Sequence, residues 1–454
     1  MLSKSRYLKG LKCKKALWLN KHKKKEAYYD ESTLQVFATG NTAGDLAQQY
    51  FPGGELALVD DYPNSKAIAK TKQLIENGCK TIYEATFAAK NTLVAVDILH
   101  KIDDEWHAFE VKSTNSVKNE HIRDAAIQYY VMTNAGIEIE DISIMHFDKT
   151  YVKQGEIIPQ KLFTYESVFD KMGIYLGKIP KNIETFLKVY QQEEPEITIG
   201  DHCNTPYACE FANYCHSLKE NQSIVEEWES ARELSKEVSN KNTKGLQEFL
   251  KENPYPIYSL DFESVQHGIP EYDNSRPYQQ IPFQYSLHYQ KDINSAPVHF
   301  EFLGNGKDDP REDLIIQMIN DLNYNDVKGK ILMYSSFEKT MINNFIRDYP
   351  KYTDELESIR ERLVDLGVVF RRYIKTEATE NTWSLKTVLP TFLPHLSYQD
   401  LEIQNGTQTM EVYRNLSEIK DAKEIDKQRS AMLAYCKLDT KAVLDLYNLL
   451  YSFI

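Results

Sequence analysis

The sequence predicts an α/β protein of two mixed α/β domains, residues 1–220 and 254–454, joined by a charged helical linker at 221–253. Three observations carry this expectation. At 454 residues the chain is long enough for two ordinary cores. In both halves, short runs with strand-like patterning are interleaved with longer runs of helical period. Between them lies a stretch dense in charge, 222–251, closed by Pro254 and Pro256.

In the first half, residues 1–30 read as a basic lead-in. Lys4, Arg6, Lys9, Lys12, Lys14, Lys15, Lys21, Lys23, Lys24 and Lys25 crowd it, with Tyr7 and Trp18 between them. Such a stretch can follow a phosphate backbone and stack a base; the plainer alternative is a solvated arm. A helix over 33–50 ends at Pro52-Gly53-Gly54, and a second over 65–78 takes Asn64 or Ser65 as its N-cap. Strands follow in TIYEATFA, TLVAVDILH and EWHAFEVKS between 80 and 112, then a helix at 120–134 and a strand at 141–148. Residues 194–200 form a connector into a Cys-rich segment, 201–216.

In the second half, IYSLDFES and the runs near 281–289, 296–303 and 329–334 read as strands. They are interleaved with helices near 310–322, 337–348, 352–362 and 424–450.

Composition narrows the function. The longest apolar runs, such as LVAV at 93–96, are far too short to span a bilayer. A Lys-rich start without an apolar core is not a secretory signal, so a cytoplasmic location and no membrane partner are expected. A net charge of −13 argues against a general nucleic-acid coat protein, but not against a nuclease, whose metal-binding carboxylates enter the same sum. The six cysteines of a cytosolic chain this long are not a disulfide framework.

Three constellations carry chemistry. In the first, Asp97 interrupts an apolar strand, where an unpaired carboxylate is costly. Glu110 and Lys112 stand two apart on the next strand and leave the same face. Two carboxylates can hold Mg²⁺ or Mn²⁺ for water activation, and a lysine beside them can stabilise the charge that develops. Glu84 can complete the acidic cluster, while Asp124 and Gln128 form a polar i,i+4 stripe on the following helix.

In the second, Cys203, Cys209 and Cys215 recur with five residues between each, a poor spacing for a zinc ribbon. Cys13 is the natural fourth ligand, and four thiolates suit a [4Fe-4S] cubane; zinc and plain buried cysteines are the alternatives. Cys79 and Cys436 read as core or helix-end residues.

One upstream Cys, then E…D…E-x-K, a polar helix and three downstream Cys, over about 1–220, resembles the RecB-type PD-(D/E)xK nucleases with an iron–sulfur clasp, such as the CRISPR-associated RecB-like nucleases. The resemblance implies a restriction-endonuclease-like fold, metal on Asp97 and Glu110, and Lys112 as the catalytic lysine. The helix at 120–134 would carry the Gln-x-x-x-Tyr-type motif; here Asp124-x-x-x-Gln128 stands in its place. The histidine usual in the early helix is absent from TAGDLAQQY.

In the third constellation, Ser259, Asp261 and Glu263 share one strand face, with Tyr258, Leu260 and Phe262 on the other. Tyr435 and Asp439 are i,i+4 on the last helix, and Glu338 opens the helix after GKILMY. Together they allow two divalent metals about 4 Å apart. Asp365 is an alternative acid, and Ser384 and Lys386 are candidate phosphate contacts, or else a helix N-cap and a surface lysine.

Over about 255–454 the set resembles the DEDD exonucleases of the DnaQ-like, RNase H-type fold, in the variant with Tyr-x-x-x-Asp as the last motif. That resemblance implies metal on Asp261, Glu263 and Asp439, and Tyr435 positioning the attacking water. Glu338 replaces the Asp usual in the second motif.

The expected function is a metal-dependent nuclease, an exonuclease on DNA rather than RNA in end processing, repair or defence. The alternatives are a nucleic-acid-binding adaptor with one or both sites degenerate, and a cluster-based redox sensor.

Overall fold

The computed structural model describes residues 1–57, 65–205, 207–218, 238–379 and 381–454. The fold is α/β, in two compact units. One is Met1–Gln222 with His267–Tyr278; the other is Ser223–Gln266 with Gln279–Ile454. Among the described residues no helix is long and apolar enough to cross a membrane.

The first unit is built on strands β1 (Leu2–Ser3), β2 (Glu55–Leu56), β3 (Thr81–Ala89), β4 (Thr92–Ile102), β5 (Glu105–Lys112), β6 (Asp141–Phe147) and β7 (Phe163–Ser167). They are ordered β2-β3-β4-β5-β6-β7, with β1 parallel to the start of β4. β3, β4 and β5 form an antiparallel meander. Its two tight turns use Lys90-Asn91 and Asp103-Asp104, all at positive φ (50°, 60°, 51° and 67°), as two-residue hairpin turns require. β5 and β6 are parallel, so a crossover must join them, and helix α5 (Asn119–Asn134) supplies it.

One face of this sheet packs Val94, Val96, Leu99 and Ala85 against Ala125, Ile127 and Val131 of α5. The other packs Ile98, Phe109 and Met145 against Ala43 and Ala47 of helix α3 (Glu31–Tyr50). Side-chain alternation slips by one residue at Glu84 on β3 and around Asp97 on β4. Ala85 and Val96 face the α5 side, while Tyr83 and Ile98 face the α3 side. Glu84 takes φ +53°, an uncommon conformation for a residue with a side chain, and strain of this kind concentrates at functional sites.

The basic lead-in is folded rather than a solvated arm, while Lys14, Lys21, Lys24 and Lys25 stay exposed on it. After β1 it forms helices α1 (Lys4–Lys12) and α2 (Lys14–His22), with Tyr7, Leu17 and Leu19 buried. Several of its cations are paired: Lys9 with Glu210, Lys15 and Lys23 with Glu194, and Lys4 with Glu110.

Of the helical linker expected at 221–253, residues 221–237 lie outside those described; Val238–Lys241 is a strand, β8, and Thr243–Glu252 is a helix.

The second unit's main sheet contains β9 (Ile257–Gln266), β10 (Gln280–Gln290), β11 (Val298–Leu303), β12 (Lys330–Met333) and β13 (Leu363–Asp365), ordered β11-β10-β9-β12-β13. β9, β10 and β11 are antiparallel, while β12 and β13 continue parallel to β9. A separate pair joins β8 to β14 (Ile374–Thr376). Tyr258, Leu260 and Phe262 face a core that includes Leu314, Met341 and Leu356. The C-terminal helix (Ala422–Leu450) buries Met432, Tyr435, Cys436, Asp439, Val443, Leu446 and Leu450, one stripe at helical period.

Backbones crowd at Gly329, where an added Cβ would lie 2.1 Å from the carbonyl oxygen of Pro256. That contact is with main chain and cannot rotate away. Gly329→Ala is expected to destabilise the protein by about 3 kcal/mol or more, at the upper end of overpacking effects. Urea unfolding checks it; a loss below about 1 kcal/mol would contradict the crowding argument.

Candidate active sites

The first site grows out of the meander. Glu84 and Asp97 fall between the paired residues Tyr83–Ile98 and Ala85–Val96, and Asp97 and Glu110 follow the pair Ile98–Phe109. Three acids therefore line up across β3, β4 and β5. Asp97 Oδ2 accepts the Val111 amide at 2.6 Å. From α5, Asp124 Oδ2 meets Lys112 Nζ at 2.5 Å, and the Gln128 amide donates to Glu110 Oε2. Lys112 Nζ also reaches Glu110 Oε1 at 2.5 Å. All six residues singled out by sequence are together.

One further residue belongs here that sequence reasoning left in the basic lead-in. Lys4 Nζ lies 2.7 Å from Glu110 Oε1 and 3.4 Å from Asp124 Oδ1. Burial opposes the Glu110 charge, but Lys112 and Lys4 outweigh it and hold this carboxyl well below the usual range. Asp97 is pushed the other way, by burial and then by Glu110. His121 on α5 is also near; burial and then Lys112 lower its pKa to about 4, so it is neutral at pH 7.

For a divalent ion the fit here is partial. Asp124 Oδ1 and Gln128 Oε1 are buried without a hydrogen-bond partner, as oxygens awaiting a ligand would be. Both Glu110 oxygens, in contrast, already receive donors of the chain itself.

The four cysteines predicted to cluster do so. Cys13, Cys203, Cys209 and Cys215 line one small cavity with Leu19, Phe211 and His202. Cys13 N-caps α2, its Sγ accepting the Ala16 amide at 3.5 Å. Burial raises the Cys13 and Cys215 thiols, with neighbouring thiols adding to it. Four convergent sulfurs in a half-buried, largely apolar pocket fit a metal or an iron–sulfur cluster.

The second site lies on β9. Asp261 and Glu263 leave the face opposite Tyr258, Leu260 and Phe262. Parallel β12 ends beside them, so helix Phe337–Asp348 starts at that edge and brings in Glu338, which is 3% exposed. Asp261 and Glu338 are close enough for each to act on the other's ionisation. The C-terminal helix supplies Asp439, which accepts hydrogen bonds from Tyr435 and Tyr398. Exposed Lys386 is close enough to favour ionisation of both Glu263 and Asp439.

Among the described residues none of these four acids forms an ion pair with Lys, Arg or His. Burial, then mutual repulsion, raises Asp261 and Glu263 well above the carboxylate range. Burial also lifts Glu338 to about 7 and Asp439 to about 8. One ligand atom each of Asp261, Glu263 and Cys436 lies within 4.8 Å of the others. Ser259 Oγ, on the same strand face, is buried without a hydrogen-bond partner. Unlike the first site, this one has no ion-paired cation among the described residues, and its carboxyl set fits divalent cations.

Sequence reading missed two residues here. Tyr398 sits outside any regular motif and carries no sequence signal. Cys436 is not a bystander in the core, as expected, since its Sγ is 3.5 Å from Asp261 Oδ2. The alternative acid, Asp365, is instead held by Arg371 and by the Gly367 amide at 2.8 Å. Ser384 is an N-cap whose hydroxyl pairs with Thr387 at 3.0 Å, which is the plainer reading of that residue.

Residues 258–384 match a domain of unknown function (DUF2779), a span holding Asp261, Glu263 and Glu338 but not Tyr398, Tyr435 or Asp439. No curated protein matches the chain.

Proposed function

We propose that the chain is a metal-dependent nuclease that hydrolyses phosphodiester bonds at the second site. One observation carries this reading: four acids from three separate elements, Glu263, Glu338 and Asp439 buried and Asp261 half-buried, converge without an ion-pair partner among the described residues. Such a cluster is costly to keep unless a cation joins it. The strand order β11-β10-β9-β12-β13, with the acids on central β9, supports the RNase H-type, DEDD exonuclease resemblance. The row Glu84, Asp97, Glu110 with Lys112 supports the RecB-type resemblance of the first unit, and the four-cysteine cavity supports its [4Fe-4S] clasp.

Bound Mg²⁺ or Mn²⁺ would lower the pKa of a water and screen the phosphoryl oxygens. Asp261, Glu263, Glu338 and Asp439 would hold it. Tyr435, fixed against Asp439, has its proton retained by burial and the neighbouring acids, so it can donate a hydrogen bond that orients a water. Lys386, at the exposed edge, is placed to meet the negatively charged backbone of DNA.

A second reading is favoured by Glu110 at the first site, both of whose oxygens are occupied. In it the first unit grips nucleic acid and the second cuts.

Anaerobic cleavage of end-labelled single-stranded DNA and RNA with Mn²⁺ tests this. Asp261→Ala is expected to abolish stepwise degradation and Lys112→Ala to spare it. A wild type that cuts neither substrate rejects the nuclease; a dead Lys112→Ala with an active Asp261→Ala moves the chemistry to the first site.

A further inference from the structure

Lys4 is the first residue of α1, and its backbone is pinned on both sides. Ser3 caps the helix by accepting the Arg6 amide at 3.3 Å, and β1 pairs with the start of β4, Leu2 beside Thr92 and Ser3 beside Leu93. Leu2 is fully buried, which locks that register. The lysine stem therefore leaves the chain at a fixed point over the sheet. Its ammonium lies 2.7 Å from Glu110 Oε1 and 3.4 Å from Asp124 Oδ1. Asp97 and Glu84 are close enough for their charges to act on it.

One cation thus faces all four carboxylates of the first site. Lys112 bridges Glu110 and Asp124 through hydrogen bonds, and its charge acts on Asp97 as well. Glu110 Oε1 is shared by the two ammonium groups, and Asp124 has Lys4 on Oδ1 at 3.4 Å and Lys112 on Oδ2 at 2.5 Å, so carboxylate oxygens a divalent ion could use are already faced by cations.

We infer that Lys4 is a built-in counter-ion that stands in the divalent-metal position of the first site, so that a metal binds there only by displacing it. This rests on reading the first site as a metal site. The flexible four-carbon stem lets the ammonium leave without moving α1. Placing two like charges on one ligand oxygen disfavours metal until the ammonium goes.

Mn²⁺ binding to the full chain, followed by the EPR signal of free Mn²⁺, tests this in an Asp261→Asn/Asp439→Asn background that silences the second site. Adding Lys4→Met or Lys4→Gln is expected to tighten Mn²⁺ binding at least about tenfold, roughly 1.4 kcal/mol. Lys4→Arg, which keeps the charge, should give no gain. Thermal melts confirm that each variant is folded, and Lys4→Gln serves if Lys4→Met is not. Equal Mn²⁺ affinity in all four proteins overturns the inference but leaves the metal site standing. No Mn²⁺ bound by any of them overturns both.

Discussion

Asp439→Asn is expected to abolish Mn²⁺-dependent cleavage and at the same time to make the metal-free protein more stable. The activity loss is expected to reach about 10³-fold or more, roughly 4 kcal/mol of barrier, because an acid of the metal-holding set is gone. The stability gain follows from the crowding of carboxyls around β9. The amide keeps an oxygen to accept the Tyr398 hydroxyl, so the hydrogen bond survives while the charge does not. Relief of only about 1 kcal/mol raises the melting midpoint by roughly 2–4 °C.

The pH dependence gives an independent handle on the same acids. Burial lifts Asp439 to about 8 and Glu338 to about 7 in the folded chain. Between the ordinary carboxylate range, near pH 4, and pH 8 the folded state then binds more protons than the unfolded one. Stability of the metal-free protein therefore falls as pH rises through that window, and Asp439→Asn flattens the fall. Melts at pH 5 and pH 8, with and without Mn²⁺, measure this. A variant that melts below wild type at pH 8 without metal would refute the crowding account.

Glu110→Ala is the second large effect, on stability rather than chemistry. Lys4 and Lys112 both converge on Glu110 Oε1, and Gln128 donates to Oε2. Removing the carboxylate leaves two ammonium groups, each with about a fifth of its side chain exposed, with Asp124 as their one remaining ion-pair partner among the described residues and Asp97 acting on both from further off. Breaking a buried ion pair from one side typically costs about 3–5 kcal/mol, and the stranded Gln128 amide adds to it. Urea unfolding of the full chain is the measurement. Lys112→Ala should cost less, because Lys4 remains to neutralise Glu110. If Glu110→Ala costs less than Lys112→Ala, the carboxylate is not the hub of this network.

Much of this arrangement was legible before any coordinates, and the reasons differ by element. The meander from 81 to 112 showed itself because its strands are long enough to display their pattern and end in tight turns. Asp261 and Glu263 were legible because two acids on an otherwise apolar strand are anomalous. The short strands at 363–365 and 374–376 are three residues each, too brief to show any period.

The lead-in was misread because its lysines find their partners far along the chain. Lys4 meets a carboxylate 106 residues away and Lys9 one 201 residues away. A charge run looks solvated until the fold supplies its opposite charges. Cys436 was misread for a related reason: its burial was foreseen, its neighbour was not. Tyr398 lies in the irregular stretch between the helices Leu385–Phe392 and Gly406–Asn415, and only tertiary contact gives it a role.

The separation of Asp439 from Asp261 along the chain also orders events in time. The β9–β10–β11 meander closes through the connections 267–279 and 291–297, whereas the C-terminal helix must return across everything between them before it can dock. Contacts of that span form at greater entropic cost than local hairpins. The strand holding two of the four acids can thus pair early, while Asp439 and Tyr435 arrive only with the helix. Fraying or clipping of that helix would erase the cluster and leave the sheet paired, so the chemistry is more fragile than the architecture that displays it.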